Sequence, residues 1–314
     1  MARLDRGLTD AAFRLWIEKE VPTTLLGPIL TCIPNDPCAL DVQLRKGGVL
    51  QVYHGNTSLL RIKTGKSGEL LQLDFGSYES EVAKLDSKLR GRWRIDEAED
   101  LSRQLCRVLP TLAACVGRSY YQNRKEGFWE NQLAYTHGRG WRADKEWLVI
   151  DRQAVVGFDS GAELNDTVGP IVGRHAAALE SLIDRQPRRW AKPKAVGNEL
   201  DLLAVNHRGE ILCIELKHAS NSEGVYCGPF QAAVYRDTFH AVAESIVPDL
   251  DRLVRQKVVL GLLPPMALGL MPFVKLPVVR GVLAVVGNQS REVQRRLRLC
   301  LDSCEYVEYW QLDD

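Results

Sequence analysis

The chain carries almost no net charge: 41 lysines and arginines stand against 40 aspartates and glutamates, for a balance of +1. A global electrostatic pull on nucleic acid is therefore excluded, and any nucleic-acid face has to be local. A long apolar run is also missing. The oiliest stretch, residues 258–286, is broken by Pro264, Pro265, Pro272, Lys275, Pro277 and Arg280, whereas a membrane span needs roughly 18 or more apolar residues in a row. The opening MARLDRGLTD lacks the apolar core of a signal peptide, so a cytoplasmic location without a membrane partner is expected. Eight cysteines occur, yet none shows the C-x2-C rhythm of a zinc ribbon; Cys32/Cys38 and Cys300/Cys304 are isolated pairs. Reduced cysteines in apolar surroundings are expected, with Cys213 a small core residue. No internal repeat, low-complexity tract, helix-turn-helix, zinc finger or RNA-recognition signature is present. Gly65-Lys66-Ser67 looks like a phosphate loop, but the first glycine of G-x4-G-K-[ST] is absent and Leu60 stands there. The segment reads as a hairpin turn.

The remainder is that of an ordinary folded protein. At 314 residues, 45% apolar and 26% charged, the chain suffices for two domains or for one core with a large extension. Three zones emerge. Residues 1–110 open with an amphipathic helix at Asp10–Lys19 and continue as short strands, Val49–Tyr53, Ser58–Lys63 and Glu69–Phe75, between glycine turns. This zone is expected to be a β-rich accessory module. Residues 111–165 form a connecting zone. The helix ahead of it, Asp96–Val116, is interrupted by Pro110, a second helix starts at Phe128, and Trp147–Asp151 with Ala154–Phe158 predicts a hairpin. Residues 166–314 form the core. It includes a buried central strand over Val278–Val286, a basic amphipathic helix over Ser290–Leu301 and an edge strand over Tyr306–Trp310.

The most informative segment is ELDLLAVNHRGEILCIELK, residues 199–217. Two apolar strands flank an Asn206-His207-Arg208-Gly209 turn. Glu215 and Lys217 share one face of the second strand, and pairing across the turn brings Asp201 near Glu215. Two carboxylates and an ammonium at one end of an oily hairpin are costly to bury unless something offsets them, and a divalent cation is the usual partner. Upstream, His175–Trp190 reads as a helix ended by Pro187, with Glu180 beside its apolar stripe. Downstream, Gln231 and Tyr235 share a helix face at i, i+4.

Asp201 followed by Glu215-x-Lys217 resembles the PD-(D/E)xK nuclease superfamily, with Leu200 in place of the usual Pro. A Glu on the preceding helix and a Q-x-x-x-Y helix afterwards are common companions in that superfamily. The whole series Glu180, Gly197, Asp201, Glu215, Lys217, Gln231, Tyr235 is most similar to the branch containing NucS-like DNA-cleaving domains. The resemblance implies an α/β fold, a restriction-endonuclease-like mixed-sheet core flanked by helices in the order helix, strand, strand, strand, helix, strand, with additions. It implies a phosphodiesterase using Mg²⁺, with Mn²⁺ as substitute, acting on DNA ahead of RNA, in repair or antiviral defence. Asp201, Glu215 and the Leu216 carbonyl would hold the metal, Glu180 would add an outer ligand, Lys217 would orient the nucleophile, Gln231 would position it, and Tyr235 would support. A homodimer, or a protein partner on the N-terminal module, would suit such an enzyme.

Each residue also has a plainer reading. A single E-x-K is commonly a solvated edge pair, and Glu130 rivals Glu180 as the helix-borne carboxylate. Arg188, Arg189, Lys192 and Lys194 could hold phosphates while Trp190 stacks on a base; equally, Trp190 could sit in the core. Arg291, Arg295 and Arg298 read as plain helix surface. The whole could also be a catalytically silent nucleic-acid- or partner-binding protein on the same core, or a structural protein with an internal ion pair.

Overall fold

The computed structural model describes residues 2–65, 67–116, 121, 124–186, 190, 199–273 and 276–313. The protein is mixed α/β, with two five-stranded sheets, and divides into two compact units.

The first unit comprises residues 5–148 and 249–271. Helices α1 (Asp10–Glu18) and α2 (Gly27–Thr31) precede β1 (Asp41–Arg45), β2 (Val49–His54), β3 (Thr57–Thr64) and β4 (Leu70–Asp74). After them come α3 (Glu79–Leu85), β5 (Arg92–Arg94), α4 (Ala98–Cys115) and α5 (Glu126–Ala134). Thr9 caps α1 by accepting the amide of Ala12 at 3.2 Å. The strands run in chain order as an antiparallel meander. Alternation sets its register: Leu60 and Ile62 are buried around exposed Arg61, and Leu71 and Leu73 around exposed Gln72. Gly65 and Gly68 close the β3–β4 hairpin: the Gly65 amide donates to Leu70 O at 3.2 Å and the Gly68 amide to Gly65 O at 2.9 Å. Pro110 does not interrupt α4. Burying Leu101, Leu105, Val108, Leu109 and Leu112 on one stripe outweighs the roughly 3 kcal/mol cost of an interior proline. Residues 249–271 belong here and not with the C-terminal core, for a polar reason. Gln256 exchanges two buried bonds with the Leu8 backbone, at 2.8 and 2.9 Å, and Lys257 Nζ donates to Gln43 Oε1 at 2.5 Å.

The second unit comprises residues 1–4, 149–248 and 272–314. Its elements are β6 (Trp147–Ala154), α6 (Gly161–Asp184), β7 (Leu200–Asn206), β8 (Ile211–His218), α7 (Ser222–Val259), β9 (Val279–Val286), α8 (Arg291–Leu301) and β10 (Val307–Leu312). The sheet order is β10-β9-β8-β7-β6; β7 and β8 are antiparallel, while β8, β9 and β10 are parallel. As expected, β9 is a buried interior strand, between β8 and β10, and β10 lies at the edge. Among the described residues two strands, not three, separate α6 from α7, because β6 precedes α6 and joins the sheet beside β7.

Other boundaries move for identifiable reasons. The expected 147–158 hairpin is a single strand, since Gly157 exchanges backbone bonds with Arg3 at 2.8 and 2.9 Å instead. Helix α6 begins fourteen residues before His175, at Gly161. Its start was written in Ser160-x-x-Glu163: Ser160 Oγ accepts the Glu163 amide at 3.1 Å, and Glu163 accepts the Asp159 amide at 3.0 Å. Helix α7 runs unbroken through Pro229 and Pro248, so the helix expected to carry Gln231 and Tyr235 extends from Ser222 to Val259. Within the second unit, α6 and α7 are tied at Asp237, whose Oδ2 accepts Arg174 Nη2 at 2.6 Å and His175 Nε2 at 2.8 Å, while Oδ1 accepts Arg236. Burial pushes the Asp237 carboxyl up, but these three donors outweigh it and hold it well below the usual carboxylate range. Among the described residues no helix is long and apolar enough to cross a membrane.

Candidate functional site

The hairpin of β7 and β8 forms as the sequence predicts, and its turn shows why. Asn206 Oδ1 accepts the amides of Arg208 and Glu210, both at 3.0 Å, and Gly209 supplies the left-handed residue at φ +74°. The paired register ends at Leu202–Ile214, and Asp201 and Glu215 are the next residue of each strand beyond it. Cys213 is fully buried within it.

At that end four groups converge. Asp201 Oδ2 accepts the amide of Leu216 at 2.8 Å. Lys217 Nζ donates to Glu215 Oε1 at 2.5 Å and to the Leu216 carbonyl at 3.0 Å, and lies 3.8 Å from Asp201 Oδ2. Glu215 and Lys217 are 3% and 7% exposed, which removes the solvated edge pair as a description of this E-x-K.

Helix α7 provides the cover, and it approaches closely because of glycines. A Cβ on Gly224 would lie 2.9 Å from Lys217 Cδ, and one on Gly228 would lie 2.5 Å from Leu283 Cδ1. Leu283 is the β9 partner of Glu215. From the strand side, a Cβ on Gly281 would meet the Ala232 carbonyl at 3.0 Å. Asn221 caps the helix by accepting the Gly224 amide at 2.9 Å. Gly224, Gly228 and Asn221 were not singled out from the sequence; the N-x-x-G-x-x-x-G spacing just beyond Lys217 was the available signal.

Further along α7, Tyr235 is buried and its hydroxyl donates to the Glu199 carbonyl at 2.7 Å, pinning the entry to β7 two residues before Asp201. Burial, then the negative charges of Glu215 and Asp201, push its phenol up, so it remains a donor. Gln231 is half-buried one turn earlier on the same helix. Glu180 stands on the exposed side of α6, next to Leu179, which packs into the core. Among the described residues no three His, Cys, Asp or Glu side chains gather as a ligand group, so Glu180 does not join Asp201 and Glu215 as a third carboxylate. Glu130 is buried on α5, in the first unit.

The expected nucleic-acid contacts divide. Arg188, Arg189, Lys192 and Lys194 lie outside the described residues, as do Pro187 and Gly197. Trp190 is 2% exposed, with its ring 5.3 Å from Tyr226 and beneath the Arg296 guanidinium at 5.3 Å. It is a core residue, and stacking on a base is replaced by packing: the indole gains more from burial among Leu179, Phe230 and Leu297 than from water. Arg291, Arg295 and Arg298 are exposed on α8 as expected.

The donor set is two carboxylates and a carbonyl, all hard oxygens suited to Mg²⁺ or Mn²⁺. Their place already attracts a cation, because the Lys217 ammonium stands in for one. No family model, curated protein or solved structure matches this chain.

Proposed function

We propose that the protein is a metal-dependent nuclease of the PD-(D/E)xK kind, with a restriction-endonuclease-like core in the second unit and DNA as the preferred substrate. The observation that carries this reading is the convergence of Asp201, Glu215, the Leu216 carbonyl and Lys217 at one end of a buried hairpin. Asp201, Glu215 and Leu216 O would hold Mg²⁺ or Mn²⁺. When bound, such an ion polarises a phosphate and lowers the pKa of a water. Lys217 would then offset charge developing on the phosphate, and Tyr235 would hold the β7 entry so that Asp201 keeps its aim. Placing the pathway in repair or antiviral defence is analogy with the superfamily.

A specific observation favours a second reading. Lys217 already neutralises Glu215 at 2.5 Å, so the cluster could be a structural ion pair in a protein that binds nucleic acid or a partner without cutting.

Cleavage of labelled single- and double-stranded DNA and RNA with Mg²⁺ or Mn²⁺, beside EDTA controls, separates the two. Metal-dependent cutting that disappears in folded Asp201→Ala and Lys217→Ala variants is the expected result. Binding that survives chelation without cleavage would support the second reading, and cutting that persists in both variants would sink the site.

A further inference from the structure

We infer that Lys217 is a placeholder cation, and that metal binding at this site is an exchange in which the ammonium yields its seat. The inference rests on the nuclease reading and specifies how that site is regulated. The ammonium already bonds two of the atoms a metal would need. Lys217 Nζ is 2.5 Å from Glu215 Oε1 and 3.0 Å from Leu216 O. Mg²⁺ bonds oxygen at about 2.0–2.1 Å, so an ion that took both oxygens from the side Lys217 now occupies would crowd the present nitrogen. Two cations that close in a buried site repel strongly.

The seat is built rather than incidental. The Lys217 stem passes beneath Gly224, where a Cβ would lie 2.9 Å from Cδ, so the helix leaves just room for the extended chain. Asp201 Oδ2, at 3.8 Å from Nζ, is engaged by the Leu216 amide and stays aimed at the same place without needing the lysine. In the absence of metal the ammonium offsets the buried Glu215 charge and holds that carboxylate in position. An arriving ion takes over that task and displaces Nζ outward, which leaves a lysine beside the metal shell rather than in it.

The test titrates Mn²⁺ alone, without nucleic acid, into wild type, Lys217→Met and Lys217→Gln, by calorimetry and by thermal denaturation; Lys217→Gln is the fallback should Lys217→Met fail to fold. Removing the ammonium is expected to tighten Mn²⁺ roughly tenfold or more. It should also lower the melting temperature without metal and enlarge the rise that Mn²⁺ produces. Adding Asp201→Asn to Lys217→Met should abolish the gain, locating it at this site. Wild type that binds Mn²⁺ as tightly as the lysine variants would overturn the exchange while leaving the metal site standing. Folded wild type and variants that all fail to bind would remove the metal reading itself.

Discussion

Arg61-Ile62-Lys63 on β3 and Glu215-Leu216-Lys217 on β8 are the same pattern, an apolar residue between two charged ones on a strand of eight residues. Both lysines are paired with a carboxylate: Lys63 with Asp74 at 2.8 Å across to β4, and Lys217 with Glu215 at 2.5 Å along its own strand. The side chain of Lys63 is 44% exposed, that of Lys217 only 9%. In the first sheet the charged face looks to water. In the second, α7 lies across it. The comparison shows that an alternating strand reports which residues share a face, and that the covering element decides what the charges on that face can do.

Breaking the two pairs should expose the difference. Lys217→Ala removes the ammonium 2.5 Å from the buried Glu215 carboxylate and is expected to cost about 3–5 kcal/mol, read as a fall in urea midpoint without metal. A loss below about 1 kcal/mol would mean that water reaches Glu215 and that the cover is loose.

The cover itself can be tested next. Gly228→Ala gains up to about 1 kcal/mol of helix propensity. It also drives a methyl to within 2.5 Å of Leu283 Cδ1, a side chain with no exposed surface to move toward. Overpacking of this kind costs about 1–3 kcal/mol, so net destabilisation is expected, and a melting temperature at or above wild type would show that α7 can lift from the sheet.

Asp237 offers a buried-side ion cluster away from the candidate site. Its carboxyl is held below the usual range by His175, Arg236 and Arg174 against the opposing effect of burial. A depressed carboxyl contributes its full stability above the ordinary value of about 3.9 and loses it as pH falls through that value toward the folded one. Asp237→Asn is therefore expected to cost about 1–2 kcal/mol at pH 7, moderately less at pH 3, and less again at pH 2, where the carboxyl is further down its descent. An equal cost at all three pH values would assign the loss to packing instead of charge. The smallest effect belongs to the exposed pair: Lys63→Ala should change stability by about 0–1 kcal/mol, and the change should shrink in high salt.

Some errors of sequence reading come from the same source as the Lys63–Lys217 contrast. Trp190 lies beside basic residues in the chain, and nothing local says that Tyr226 and Arg296, from α7 and α8, close over it. Pro229 looks like the point after which the Gln231 helix begins, yet α7 starts at Ser222 and passes through it and through Pro248, because packing along the helix offsets the lost amide bonds. Residues 249–271 begin inside α7, most of which belongs to the second unit, but join the first unit through Gln256 and Lys257, whose partners Leu8 and Gln43 are more than two hundred positions away.

The sequence by itself determined the elements and the local order of the candidate site: the period-two strands β2, β3, β4 and β8, the Asn206–Gly209 turn, the buried β9, and Asp201 near Glu215 two positions from Lys217. These depend on alternation, turn chemistry and register, all of which act over a few residues. Tertiary structure alone decided that Lys217 is seated between Glu215 and the Leu216 carbonyl, that Glu180 stays at the surface of α6, and that Gly224 and Gly228 bring α7 down over the charges. Burial belongs to whichever element arrives from elsewhere in the chain, and burial turns an ordinary E-x-K into a cation site.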